Sequence, residues 1–326
     1  DMLVSLSSDV DPVFREYERT VVTAFDAYIK PTVDAYLSNL SQALRRKNVG
    51  ASLQIMQSRG GLAGAETARI RPVRLFLSGP AGGVMGALSE GKANNYNDLI
   101  TVDIGGTSCD IALVNGAKPL IRQEGFIDKY MVRVPMVDVS AIGSGGGSIA
   151  WLDKAGGLKV GPHSAGSEPG PACYDRGGTQ PTVTDASLVL GLIDPDFFAG
   201  GRFNLNIDKA YNAISEKIAK PLSLTVEEAA LGIHKVLNAQ MAEGIRFISI
   251  KQGFDPRDFV LMGLGGGGPL HACELANELS IRKVLVPIQP GVLSAQGLLS
   301  APIEHEVSSS FGKVLKQVSI SDVKKG

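Results

Sequence analysis

The chain has 326 residues, long enough for two lobes with their own cores, because a single core stops growing at roughly 250 to 300 residues. Lys and Arg total 32 against 33 Asp and Glu, and no apolar run approaches the roughly 18 residues that span a bilayer, so neither nucleic acid nor a membrane is an expected partner. Three widely spaced cysteines, Cys109, Cys173 and Cys273, form no CxxC pair; they exclude a disulfide framework or a local zinc knot and fit a reducing cytoplasm.

In chain order, residues 11–47 carry Phe14, Tyr17, Val21, Ala24, Phe25 and Tyr28 at helical spacing. Pro31 breaks this run, and a second amphipathic piece follows through Val33, Tyr36, Leu37, Leu40 and Leu44, predicting a bent helical pair with an aromatic core stripe. Short strands are expected at 53–56 and 73–77. The second leads through Ser78, Gly79 and Pro80 into a helix of small residues at 81–88 that can approach another backbone closely.

Residues 99–115, LITVDIGGTSCDIALVN, read as strand, tight turn and strand. The turn Gly105-Gly106-Thr107 lacks Cβ atoms at two positions, so backbone N–H groups can face an anion. Thr107 adds a hydroxyl, and Asp103 can hold a hydrated cation. The same residues also make an ordinary Gly-rich hairpin. Residues 118–185 are expected to be a β- and loop-rich insertion, with short β runs at 118–123, 132–142, 148–153 and 158–160. Helices are expected from about Asp185, over 207–218, and after the capping box Thr225-Val-Glu-Glu228, where Ala229, Ile233, Val236, Leu237, Met241, Ile245 and Ile248 repeat at helical spacing.

A strand at 258–262, a glycine loop, a helix at 269–279 and a strand at 283–286 follow. The loop fits GxGxxG through Gly263, Gly265 and Gly268, but no acidic residue closes the next strand to hold a ribose, which argues against a dinucleotide fold. Gly265, Gly266, Gly267 and Gly268 at a helix N-terminus still suit the ribose and α-phosphate of a nucleotide, and also suit a plain strand-to-helix turn. A last small-residue helix is expected at 291–299. There is no GxxxxGK[ST] loop, GxSxG elbow or HExxH motif; His271, in the first turn after Gly268, is the one histidine placed to reach a ligand. Asp138, Asp153 and Asp185 flank glycine loops, where they can orient a ligand or form Asx turns.

Together, Ser78-Gly-Pro-Ala-Gly-Gly83, Asp103-Ile-Gly-Gly-Thr-Ser-Cys-Asp110, Gly145-Gly-Gly-Ser-Ile-Ala150, Gly166-Ser-Glu-Pro-Gly-Pro-Ala-Cys-Tyr174, Pro181-Thr-Val-Thr-Asp185 and residues 265–271 resemble the hydantoinase A / 5-oxoprolinase family. The resemblance implies an α/β actin-like ATPase fold, in which ribonuclease-H-like lobes clamp Mg-ATP. On this basis 1–95 is a helical segment with the remainder of a first lobe and a connecting helix. Residues 96–300 form the ribonuclease-H-like ATP-binding lobe with an insertion at about 118–225, and 301–326 form a tail. The family's N-terminal DxGGTxTD-like hairpin is not in this chain, which is therefore expected to be the larger part of a subunit.

The resemblance further implies ATP and Mg²⁺ as cofactors, a hydantoinase B-type partner subunit or fused second half, and a small cyclic amide as substrate. Ketone carboxylation is the alternative within the family, and a non-catalytic nucleotide-binding or assembly module the alternative outside it. Asp103 would hold Mg²⁺ or orient the attacking oxygen. Thr107 would act with it, and Gly105, Gly106 and Thr107 would present N–H groups to the γ-phosphate. Gly265 to Gly268 would seat the adenosine side, and Asp110 would support the hairpin or contact the metal. Cys109, His163 and Asp175 depart from the family's usual Thr, Glu and Gly.

Overall fold

The computed structural model describes residues 2–305, so most of the expected tail, 306–326, lies outside the described residues. The described residues divide into two units, the first of residues 2–85, 121–137 and 298–305, the second of 86–120 and 138–297. Among the described residues no helix is long and apolar enough to cross a membrane.

The first unit is organised by helix α1, Glu16–Arg46, which runs through Pro31 without a break. The expected bent pair is thus one helix. Pro31 deprives only the Ala27 carbonyl of its N–H partner, and both residues are exposed, so that carbonyl is open to solvent. On the opposite face Asp26 is fully buried. It accepts from Ser5 Oγ at 2.6 Å and from the Val73 amide at 3.2 Å, and pairs with Lys30 Nζ at 3.4 Å one turn on. Lys30 in turn donates to the Val4 carbonyl. The expected aromatic core stripe is corrected as well: Phe14, Tyr17, Tyr28 and Tyr36 are exposed, while Val22 and Leu37 are buried and Val21, Phe25 and Ile29 are partly buried. Helical spacing alone does not say which of two apolar stripes meets a neighbour. The strand expected at 73–77 is instead a 3₁₀ turn, Pro72–Leu75, with Pro72 pre-set for its first position.

The second unit is built on a six-stranded sheet. Its strands are β1 Leu99–Ile104, β2 Cys109–Asn115, β3 Lys118–Pro119, β4 Val139–Ile142, β5 Val260–Leu264 and β6 Val284–Leu285. They run in the order β4-β2-β1-β5-β6, with β3 paired to β2. The pairs β4–β2 and β2–β1 are antiparallel, whereas β5 lies parallel to both β1 and β6. This is the ribonuclease-H-like α/β sheet that the sequence resemblance implies. β1 is buried at five of six positions, as its continuous β-branched run requires when both faces are covered.

Helix α2, Ser78–Ala93, contains Gly86, where a Cβ would meet the Leu293 carbonyl oxygen at 2.4 Å; the small-residue stripe does bring two backbones together. Helices α5 Val226–Lys251 and α6 Gly268–Leu279 pack on the sheet, α3 Val183–Val189 and α4 Ile207–Ile214 pack on α5 and on each other, and α7 spans Leu293–Ser300. The capping box at Thr225 and Glu228 is formed, and Ala229, Ile233, Leu237, Met241 and Ile245 on α5 are completely buried. Burying each of the larger of these side chains is worth roughly 1.5–3 kcal/mol.

Inside this core His234 and His271 stack, with ring centroids 4.8 Å apart. Ser187 Oγ donates to the Val183 carbonyl and so accepts from His234 Nε2, while His271 Nδ1 donates to Asn238 Oδ1 at 2.8 Å. His271 is therefore a buried core histidine, not the ligand-reaching one expected from its position after Gly268. Burial pushes the His234 pKa down to about 4 and that of His271 to about 3, with His234 adding to the latter. Below the unfolded value near 6.5 the unfolded chain therefore binds protons that the folded chain refuses. Stability is expected to be level above that pH and to fall as pH drops from about 6.5 towards 4, by up to about 1.4 kcal/mol per pH unit for each histidine. Urea unfolding across this range checks it, and His234→Gln should reduce the slope by about one proton.

Candidate functional site

β1 and β5 end at the same edge of the sheet, where Asp103 lies beside Leu264; β4 also ends there, with Ile142 beside Cys109. Three glycine-rich segments leave that edge together: the hairpin tip 105–108, the loop 143–148 and the loop 265–268. Crevices at the carboxyl ends of strands in α/β sheets are common ligand sites, because loops and helix N-termini present backbone amides there.

The tip is held by backbone bonds. The Gly105 amide donates to the Ser108 carbonyl at 3.1 Å, which closes the turn. Gly146 N–H donates to the Gly105 carbonyl at 2.9 Å, and Gly147 N–H to the Gly106 carbonyl at 2.6 Å. A trans peptide is planar, so its C=O and the next N–H point in opposite directions. Fixing the Gly105 and Gly106 carbonyls inward therefore aims the Gly106 and Thr107 amides outward. Neither amide donates to a protein group among the described residues, and both residues are exposed. Of the three amides that sequence assigns to phosphate, Gly106 and Thr107 are available and that of Gly105 is spent on the turn.

Asp103 and Asp110 are direct cross-strand partners, so their half-buried carboxyls share one face of the hairpin. Neither accepts a hydrogen bond from the protein among the described residues. Burial raises the pKa of both, and the Asp110 charge raises that of Asp103 further. No group of three or more His, Cys, Asp or Glu side chains that could hold a metal occurs among the described residues. The pair nevertheless fits a Mg²⁺ ion, which is commonly held by one or two carboxylates with water and substrate phosphates completing the shell. Cys109 beside them is buried, which pushes its thiol pKa up and keeps it an unreactive thiol.

The loop 265–268 lies against β1. The Gly267 amide donates to the Ile104 carbonyl at 2.9 Å, and the Gly265 amide to the Pro290 carbonyl at 3.0 Å. A Cβ on Gly265 would stand 2.4 Å from Asp103 Oδ1 and 2.6 Å from the Ile104 oxygen, and its φ of +70° is left-handed. Gly268 packs its backbone on Gly263, whereas Gly266 is exposed with nothing near it. All the residues singled out from sequence in the hairpin and this loop thus gather at one sheet edge. Of the flanking acids, Asp153 makes an Asx turn with the Ala155 and Gly157 amides, Asp138 accepts from Gln252, and Asp185 is fully buried.

Residues 19–307 match the family model described as Hydantoinase/oxoprolinase. The chain belongs to this family. It is 40% identical over 306 residues to the caprolactamase subunit alpha of Pseudomonas jessenii, covering 94% of this chain and 44% of that one. It is equally 40% identical over 311 residues to the acetophenone carboxylase gamma subunit of Aromatoleum aromaticum, covering 94% and 42%. The crystal structure of the ATP-dependent caprolactamase from Pseudomonas jessenii superposes with a TM-score of 0.79 at 42% identity, over 89% of this chain and 42% of that one. The chain spans about half the length of the curated relatives it matches.

One departure from the family's usual pattern has a structural account. Asp175 has a φ of +56°, the left-handed region in which the expected glycine is at ease. Asp is among the residues that tolerate it, and here its carboxylate is engaged by Lys209 and by Asn206 Nδ2, which together hold its pKa down.

What sequence reasoning passed over is the loop 143–148 as the clamp of the hairpin tip. The signal was the Gly145-Gly-Gly-Ser run itself, but its partner lies some 40 residues away and no local rule pairs them. Gly265→Ala is expected to destabilise the chain by about 2–4 kcal/mol, through strain at positive φ and the clash with Asp103. Gly266→Ala should stay within about 0.5 kcal/mol of the parent in the same urea titrations.

Proposed function

We propose that this chain is the ATP-binding part of an ATP-dependent enzyme that activates the carbonyl of a small cyclic amide by phosphorylating its oxygen. The observation that carries the reading is the convergence, on one sheet edge, of two outward-aimed amides, two carboxylates without protein donors and a glycine loop at a helix N-terminus. The Gly106 and Thr107 amides would face the γ-phosphate, where charge develops during transfer, and the Thr107 hydroxyl would add a third donor. Asp103 and Asp110 would hold Mg²⁺, which supplies charge neutralisation between the phosphates. Gly265 to Gly268 would accept the adenosine side of the nucleotide, with backbone approaching where side chains would obstruct.

The chemistry suits a cyclic amide because resonance protects its carbonyl carbon from water. Transfer of the γ-phosphoryl group to the carbonyl oxygen leaves ADP, makes the carbon electrophilic and turns the oxygen into a leaving group. The names of the relatives support this class: one is an ATP-dependent caprolactamase, and several are subunits of larger enzymes. A partner subunit of the hydantoinase B type, or a fused second half, would then supply what this chain lacks. Ketone carboxylation is the second reading, favoured by the equal similarity to the acetophenone carboxylase subunit.

Calorimetric titration with Mg-ATP is expected to show binding that Asp103→Asn weakens by at least tenfold. With the partner present, lactams, hydantoins or 5-oxoproline should stimulate ATP hydrolysis, and Asp103→Asn should lower that rate by roughly 10²–10³. Stimulation by a ketone that requires bicarbonate would select the carboxylase instead. Absence of stimulation by every amide and ketone, with ATP still bound, would leave a non-catalytic nucleotide-binding or assembly module as the function.

A further inference from the structure

Thr182 caps α3: its side chain accepts from the Asp185 amide, and Asp185 returns a bond to the Thr182 amide. The hydroxyl of Thr184, in the first turn, is not needed for that cap. It reaches 38 residues back to the Gly146 carbonyl at 2.8 Å, an oxygen that the Thr184 amide already holds at 2.7 Å. Both lone pairs of one carbonyl are thereby filled from one residue. Thr184 is only 8% exposed, so a valine of the same shape would be favoured there unless the hydroxyl has work to do. A Cβ on Gly146 would lie 2.9 Å from Thr184 Oγ1, so the contact closes over bare backbone.

We propose that Thr184 is a positioning residue for the tip of the hairpin, acting through Gly146; its bearing on nucleotide rests on the phosphate reading of that tip given above. The Gly146 residue is gripped at its carbonyl by Thr184, and with its amide it grips the Gly105 carbonyl. The Gly105 carbonyl shares a peptide plane with the Gly106 N–H, so the grip ends on one of the two outward amides. The next amide, Gly147, fixes the Gly106 carbonyl and with it the Thr107 N–H.

The neighbouring residue extends the relay. Asp185, fully buried, also accepts from the Ala172 amide at 3.2 Å, the Cys173 amide at 2.7 Å and Thr182 Oγ1 at 2.8 Å. The first turn of α3 therefore anchors two loops at once, 143–148 through Thr184 and 170–175 through Asp185. Loop 170–175 and the clamp of the hairpin tip thus share one rigid helix turn as their support.

Hydrogen exchange and Mg-ATP calorimetry on the parent, Thr184→Val and Thr184→Ser test this. Exchange at the Gly146 and Gly147 amides, and at the Gly105 amide that closes the tip, should quicken about tenfold in Thr184→Val, with α5 unaffected, and return to the parent rate in Thr184→Ser. Mg-ATP affinity should follow the same order, weaker by about tenfold in the valine variant and restored by serine. Unchanged exchange at Gly105, Gly146 and Gly147 in Thr184→Val, or failure of serine to restore it, overturns the proposal, since the first removes the relay and the second assigns the effect to methyl packing. If the parent binds no Mg-ATP, the phosphate reading fails by itself, and the exchange rates still decide whether Thr184 holds the tip.

Discussion

Two peptide planes at the tip of one hairpin set the terms for the rest of the second unit. The Gly105 and Gly106 carbonyls must be turned inward if the amides that follow them are to point outward, and a carbonyl turned inward needs a donor. Gly146 and Gly147 supply those donors as backbone amides. Side chains at positions 145 and 147 would collide with the tip, since a Cβ on either would approach tip atoms within 2.9 Å. Glycine at 145, 147, 265 and 267 is thus the steric condition for bringing three loops within backbone contact.

The acidic residues fall into two groups that make different use of burial. Asp26 and Asp185 are completely buried and saturated by hydrogen-bond donors, so they hold structure together. Asp103 and Asp110 are half-buried, opposite one another and without protein donors, an arrangement that costs stability unless a cation or proton compensates it. Their raised pKa values record the same cost. Unpaired charge held at the end of a rigid sheet is the feature on which the proposed nucleotide reading rests, in a family with an ATP-dependent caprolactamase among its members.

Behind the site the core is made of long-range partners that keep it stiff. The His234–His271 stack joins α5 to α6, whose N-terminus carries the glycine loop, and the neutral imidazoles spend their N–H groups on Ser187 and Asn238. Because α6 starts at Gly268 and α3 starts at the relay to Gly146, two helix beginnings are fixed by interior polar bonds while their loops remain open.

The strands and turns of the hairpin, the capped helix α5, the strand–loop–helix at 260–279 and the identity of the family were all legible in the chain. Each is written in a pattern that acts over a few residues: β-branched runs, Thr-x-x-Glu, Pro after glycine, helical spacing. The continuity of α1 through Pro31, the exposure of Tyr17, Tyr28 and Tyr36, and the burial of His271 were not, because each depends on which face a neighbour covers. Sequence likewise singled out Asp103, Gly105, Gly106, Thr107 and the 265–268 loop, and quoted Thr184 within Pro181-Thr-Val-Thr-Asp185, but it could not tell that the Gly105 amide closes the turn or that Thr184 holds the Gly146 carbonyl. Covalent neighbours fix what a residue can do; only the tertiary structure decided which carbonyl each amide meets, since those partners lie tens to more than a hundred residues apart and meet only when the sheet edge gathers its loops.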